Sequence, residues 1–155
     1  GHVGPGAGGE LAFTRKYSTG YLFTPPDVFV LKHFPADPKW QLLERPLSRG
    51  DFLRQPVLSP EFFAAGFKLV SPDRSQVTAR GSLELAIERA KDDSWLLAAT
   101  TEGGASAPCE VELTTRFDVR CTFPRAGKYE VVLFYGPRQY GSYDSVGSIS
   151  VVNDP

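Results

Sequence analysis

The feature that most constrains this chain is a period-two alternation of apolar and polar residues that sets in at Gly66. Within residues 82–89, Leu83, Leu85 and Ile87 fall on one face. Across 110–121 the same phase is held by Val111, Leu113, Thr115, Phe117, Val119 and Cys121. Successive side chains of a strand point to opposite faces, so this pattern describes strands with one buried side. Residues 67–70, 76–78, 95–101, 129–135 and 146–152 read the same way, with a Gly103-Gly104 turn among them. Seven short strands separated by turn residues predict an all-β fold, an immunoglobulin-like antiparallel β-sandwich over 66–155.

The run Phe123-Pro124-Arg125-Ala126-Gly127-Lys128-Tyr129, followed by Val131 and Leu133, sharpens that expectation. In such sandwiches a tyrosine at the start of a strand ties the preceding corner by a hydroxyl bond to upstream backbone, and a glycine before it eases the turn. Tyr129 and Gly127 are the candidates for this structural tyrosine corner. The variant with an inter-sheet disulfide has cysteine two residues after the tyrosine, where this chain has Val131. Trp95 is a candidate core tryptophan, although its position also suits an ordinary strand start.

Before Gly66 the chain has a different character, with eight of its 13 prolines. Residues 1–9 contain five glycines and one proline, which makes ordering costly and predicts a loop or tail. Residues 11–17 read as one isolated strand with no partner nearby. Thr24-Pro25-Pro26-Asp27 is a helix start with Thr24 as cap, and about two turns follow before Pro35 and Pro38 stop them. Ser48 is expected to cap a second short helix over 48–54, and a third follows Ser59-Pro60-Glu61 toward Gly66. This extension carries Phe29, Phe34, Trp40, Phe52, Phe62 and Phe63, aromatics that single helical turns cannot bury. They are the candidate interface residues, with filling of an intramolecular seam as the plainer alternative.

Other functions fit poorly. Seventeen basic against 18 acidic residues, with no cationic stripe, argue against nucleic-acid binding. No apolar run approaches the roughly 20 residues that span a bilayer, so no membrane partner is expected. Cys109 and Cys121 are able to pair, but a secreted domain more often carries a fuller set, and reduced structural thiols are the expectation. His2 and His33 lie far apart in sequence, and no zinc spacing, P-loop or serine elbow occurs, so neither metal nor cofactor is expected. Asp92-Asp93 reads as a solvated turn. No catalytic residue is assigned.

One stretch is more specific. Tyr21-Leu22-Phe23-Thr24-Pro25-Pro26, with His33-Phe34-Pro35-Ala36-Asp37-Pro38-Lys39-Trp40-Gln41-Leu42-Leu43, resembles the region behind the transglutaminase-like core in the kyphoscoliosis peptidase and hillarin family. The likeness continues through Pro46, Phe52, Pro56, Phe62-Phe63 and 66–72, then more loosely. It implies a cytoplasmic, cytoskeleton-associated protein in which a Cys-His-Asp module precedes immunoglobulin-like domains. By that resemblance 1–23 are a flexible start and a remnant strand of the upstream core, and 24–65 a proline- and aromatic-rich connecting segment. The resemblance also implies that the catalytic triad lies upstream, and neither His33 nor either cysteine matches it. The expected role is a non-catalytic protein-interaction or scaffolding module. Its partner is then cytoskeletal, or the upstream transglutaminase-like module. The alternative is an accessory part that shapes the groove of such a cysteine peptidase.

Overall fold

The computed structural model describes the backbone of residues 2–5 and 11–14 and the whole of residues 24–154. Strand β1 (His2–Pro5) pairs antiparallel with β2 (Leu11–Thr14), placing His2 opposite Thr14. Two expectations are thereby corrected: part of the glycine-rich start is a strand, and the strand after it has a partner. Composition registers the poor strand propensity of glycine, whereas pairing draws on backbone amides that every residue but proline carries. The expected extension of that strand to residue 17, and the apolar residues 21–23, lie outside the described residues.

Four short helical elements follow. Helix α1 (Pro26–Phe29) is a single turn capped by Pro25, whose carbonyl accepts from Val28 and Phe29 N–H at 3.1 and 2.8 Å. The expected Thr24 cap is thus displaced by one residue, because two consecutive prolines leave the first helical position ambiguous. A 3-10 helix spans Pro38–Gln41, opened by an Asp37 side chain that accepts from Lys39 N–H at 3.1 Å. Pro38, expected only as a stop, also starts this element, which suits its fixed φ. Helix α2 (Arg49–Leu53) has the expected Ser48 cap, whose hydroxyl accepts from Asp51 N–H at 3.1 Å. Helix α3 (Pro60–Ala64) follows the two-residue strand β3 (Val57–Leu58).

The remaining strands are β4 (Phe67–Ser71), β5 (Gln76–Ala79), β6 (Ser82–Arg89), β7 (Trp95–Glu102), β8 (Ala105–Pro108), β9 (Glu110–Leu113), β10 (Arg116–Thr122), β11 (Gly127–Gly136) and β12 (Asp144–Asn153). They form two facing sheets, one ordered β4-β6-β10-β9 and the other β3-β12-β11-β7-β8, with β5 running parallel to β12. All other pairings are antiparallel, and the whole is an all-β, immunoglobulin-like sandwich. Its core is built from the inward rows of the central strands, including Leu85, Ile87, Val119, Val131, Leu133 and Ile149. Phe62 of α3 is wholly buried in the same core. Residues 57–65 therefore belong physically to the sandwich.

The single strand expected over 110–121 is a hairpin, β9 turning into β10. Leu113 is opposite Phe117, and three residues lie between them. An odd-numbered loop keeps odd positions on one face through the reversal, so alternation alone conceals the turn. Strand β8 went unread because Ala105–Pro108 has neither alternation nor burial.

The hairpin also overturns the expectation of free thiols. Extending the pairs Val111 with Val119 and Glu110 with Arg120 by one step sets Cys109 against Cys121. Their Cα atoms are 4.5 Å apart and they form a disulfide. That spacing is typical of the closer pairs in an antiparallel ladder. With the turn hidden, their approach was hidden too. Trp95 does not occupy the core: it is half-buried, with the Arg89 guanidinium 5.0 Å from its ring centre. The central ring is Phe67, within 5.5 to 5.9 Å of Phe62, Phe117 and Tyr135.

Candidate interaction surface

The groups that could do covalent chemistry are dispersed or already committed. Cys121 is fully buried and oxidised onto Cys109, so neither sulfur is a thiolate nucleophile. His33 is exposed, its ring stacked on Phe29 at 4.3 Å between centroids and its Nδ1 3.4 Å from the Phe29 carbonyl. Asp92 and Asp93 are exposed in the turn between β6 and β7. Among the described residues no group of three or more His, Cys, Asp or Glu side chains could hold a metal ion.

The six candidate aromatics separate into three situations. Phe29 is 41% and Trp40 67% exposed. Phe34 and Phe52 are half-buried against each other, with centroids 5.1 Å apart. Phe63 is half-buried edge-on to Phe62 at 5.4 Å, while Phe62 itself has no exposed surface. Phe62 is therefore corrected from a candidate interface residue to a core residue: it follows Pro60 and Glu61 on the side of α3 that faces the sandwich.

Trp40 points outward because its neighbour points in. Gln41 is 3% exposed, and its side-chain amide closes a ring with Leu47, donating to Leu47 O at 3.1 Å and accepting from Leu47 N–H at 2.7 Å. A buried amide satisfied in both directions fixes the local chain without an apolar core. Leu42 then takes a left-handed φ of 56° and is 71% exposed. Lys39 bonds Asp37 at 2.9 Å and lies 5.4 Å from the Trp40 ring centre. At α2, the Ser48 hydroxyl and then the Arg54 guanidinium hold the Asp51 carboxyl below its usual range. Gln41 was missed by sequence reading, and its only signal was a lone amide inside Trp-Gln-Leu-Leu.

The far end of the sandwich is tied by a second polar knot. Tyr129 Oη donates to Arg125 O at 3.1 Å, and Gly127 opens β11 opposite Asn153. Asn153, 2% exposed, donates to the same carbonyl at 2.7 Å and accepts from Gly81 N–H at 2.7 Å. One side chain thus joins two turns to the end of β12. Nothing in the alternation marks Asn153, which occupies an inward position at the end of β12.

The two outer faces differ in chemistry. On the β4-β6-β10-β9 sheet, Arg120 meets Glu84 at 2.6 Å, Arg116 meets Asp118 at 2.8 Å and Lys68 meets Glu88 at 3.6 Å. A shallow, polar depression of about 410 Å³ lies among Glu84, Glu110, Arg116 and Arg120. Glu84, by its hydrogen bond and its charge, raises Arg120 further above its ordinary value. The opposite sheet carries Leu97, 47% exposed, directly opposite half-buried Phe134. Among the described residues no helix is long and apolar enough to cross a membrane.

Known proteins share part of this sequence. Kyphoscoliosis peptidase of Mus musculus is 34% identical over 77 residues, which are 49% of this chain and 12% of that protein, and the Homo sapiens protein of the same name matches to the same extent. A Caenorhabditis elegans LIM and transglutaminase domain protein is 42% identical over 48 residues, 31% of this chain and 7% of its own length. No family model matches the chain. The matched part spans only about an eighth of the kyphoscoliosis peptidases. Over about half its length, this chain is therefore related to a region of kyphoscoliosis peptidase.

Proposed function

We propose that the chain is a non-catalytic, protein-binding module in which the sandwich displays residues 24–66 to a partner. One observation carries this reading. Of the eight large hydrophobic side chains left exposed among the described residues, five lie in that short segment: Phe29, Trp40, Leu42, Leu53 and Val57. Scattered exposed leucines need no explanation, but a local concentration of them on a segment held by polar bonds does. Aromatic anchors are also the side chains that dominate binding energy in protein interfaces. Phe29, Phe34, Trp40, Phe52 and Phe63 form the proposed surface.

The relatives suggest the setting. Their names speak of a peptidase and of a transglutaminase domain, and by this reading 1–23 are the end of an upstream module and 24–65 its connector to an immunoglobulin-like domain over 66–155, with 57–65 of the connector packed into that domain. The partner is then a cytoskeletal protein or that upstream module. A cytoplasmic setting sits uneasily with the Cys109–Cys121 disulfide, since such bonds seldom persist in reducing compartments. Alkylation of protein at the moment of cell lysis decides between the two settings.

The functional test is paired. The chain is expected to neither hydrolyse nor cross-link peptides, and to hold its partner in a manner lost when Trp40 and Leu42 are both changed to serine. Turnover by the purified chain, or partner capture indifferent to both substitutions, contradicts the proposal.

A further inference from the structure

Between α1, residues 55–58, α3 and the edge strand β4 lies a cleft of about 460 Å³. This is the size of a site for a small ligand or a side chain with its flanking backbone. Val28, Leu31, Phe63 and Leu69 line it half-buried, with buried Phe67 among its walls. These four half-exposed apolar residues come from α1 and the turn after it, from α3 and from β4, so the cleft is not the accident of one irregular loop. Strand β4 pairs only with β6, and its other edge carries no strand among the described residues.

The polar groups of the cleft specify what would fill it. Gln55 Oε1 is buried and has no hydrogen-bond partner among the described residues. A buried acceptor left unanswered carries a desolvation penalty that an incoming donor removes. Asp27 is exposed at the cleft and makes no ion pair among the described residues. The other charges there are engaged: Lys68 with Glu88 at 3.6 Å, and Asp73 with Arg74 at 3.5 Å. The unanswered polar groups are therefore an acceptor and an anion, and the complementary ligand brings an apolar body, an N–H donor and positive charge.

We propose that this cleft receives a peptide segment of the partner in which an apolar side chain is flanked by lysine or arginine. The apolar side chain enters among Val28, Phe63 and Leu69, the Gln55 amide turns outward so that its Oε1 accepts from an N–H of the peptide, and the cation faces Asp27. The segment runs beside the edge of β4 that faces away from β6, as peptides do when they extend a sheet. This proposal rests on the interaction-module reading and names a second, chemically defined contact within it.

The test is a heteronuclear NMR titration of the full chain with three blocked pentapeptides. Ala-Lys-Leu-Lys-Ala is expected to shift Gln55, Phe63 and Leu69 saturably. Ala-Lys-Ser-Lys-Ala is expected to bind about tenfold more weakly, having lost the apolar side chain. Ala-Glu-Leu-Glu-Ala meets Asp27 with like charge and is expected to bind more weakly still. Gln55→Leu weakens the first peptide about fivefold. Should that variant fail to fold, Asp27→Lys, an exposed change, carries the test by the same loss. Equal binding of the three peptides, no binding of the first, shifts away from the cleft, or variants with undiminished affinity overturn the proposal. If the cleft fails while the Trp40 and Leu42 serine variant still releases the partner, the module reading stands alone.

Discussion

In the sandwich Phe67 is ringed by Phe62, Phe117 and Tyr135 and is 3% exposed, while in the N-terminal segment Trp40 lies 67% open under a lysine. The two regions use similar residues but are held differently. The strands bury alternate side chains between facing sheets, so their order comes from apolar packing. Beyond its buried Val30 and its anchor Phe62, the segment is ordered by caps and polar closures, such as Ser48 with Asp51 and Gln41 with Leu47, which leave the apolar residues beside them turned outward. A region held by polar bonds can keep an apolar exterior without unfolding, and that exterior is then available to a partner.

The contrast can be broken at its junction. Phe62 is the point where the segment enters the core, so Phe62→Ala is expected to cost about 3–5 kcal/mol in denaturant unfolding. A loss below about 1 kcal/mol would mean that the segment is not anchored there. Replacing Cys109 and Cys121 together by alanine frees the β9–β10 hairpin from its staple and is expected to cost about 3 kcal/mol, with the loss absent when wild type is compared under reductant. Tyr129→Phe removes one hydroxyl from a corner that Asn153 also holds, and about 1 kcal/mol is expected. At the other extreme, Trp40→Ala is expected to change stability by less than about 0.5 kcal/mol while weakening partner binding.

The sequence revealed these regions unequally, for physical reasons. Burial on one face writes itself into period two, which is why β6, β7, β11 and β12 were readable from Leu83, Leu85, Ile87 and their counterparts. What was missed does not alter that periodicity. The reversal between Leu113 and Phe117 preserves parity, and the disulfide it enables became visible only when the hairpin did. The segment's exposed aromatics were nameable from composition, but their directions were not, because Gln41, Leu47 and the left-handed Leu42 set those directions through hydrogen bonds without sequence period. Likewise Gln55 stands out only because the fold brings it to the same cleft as Val28, Phe63 and Phe67.

The direct measurement of the account is the solvent exposure of Trp40 in the free chain. In a Trp95→Phe variant the remaining tryptophan reports alone, since the chain has two. Emission at the wavelength of indole in water, with acrylamide quenching close to that of a free tryptophan derivative, is predicted. A blue-shifted, poorly quenched emission from the monomeric variant would show the segment closed on itself, and would contradict a partner-facing surface there.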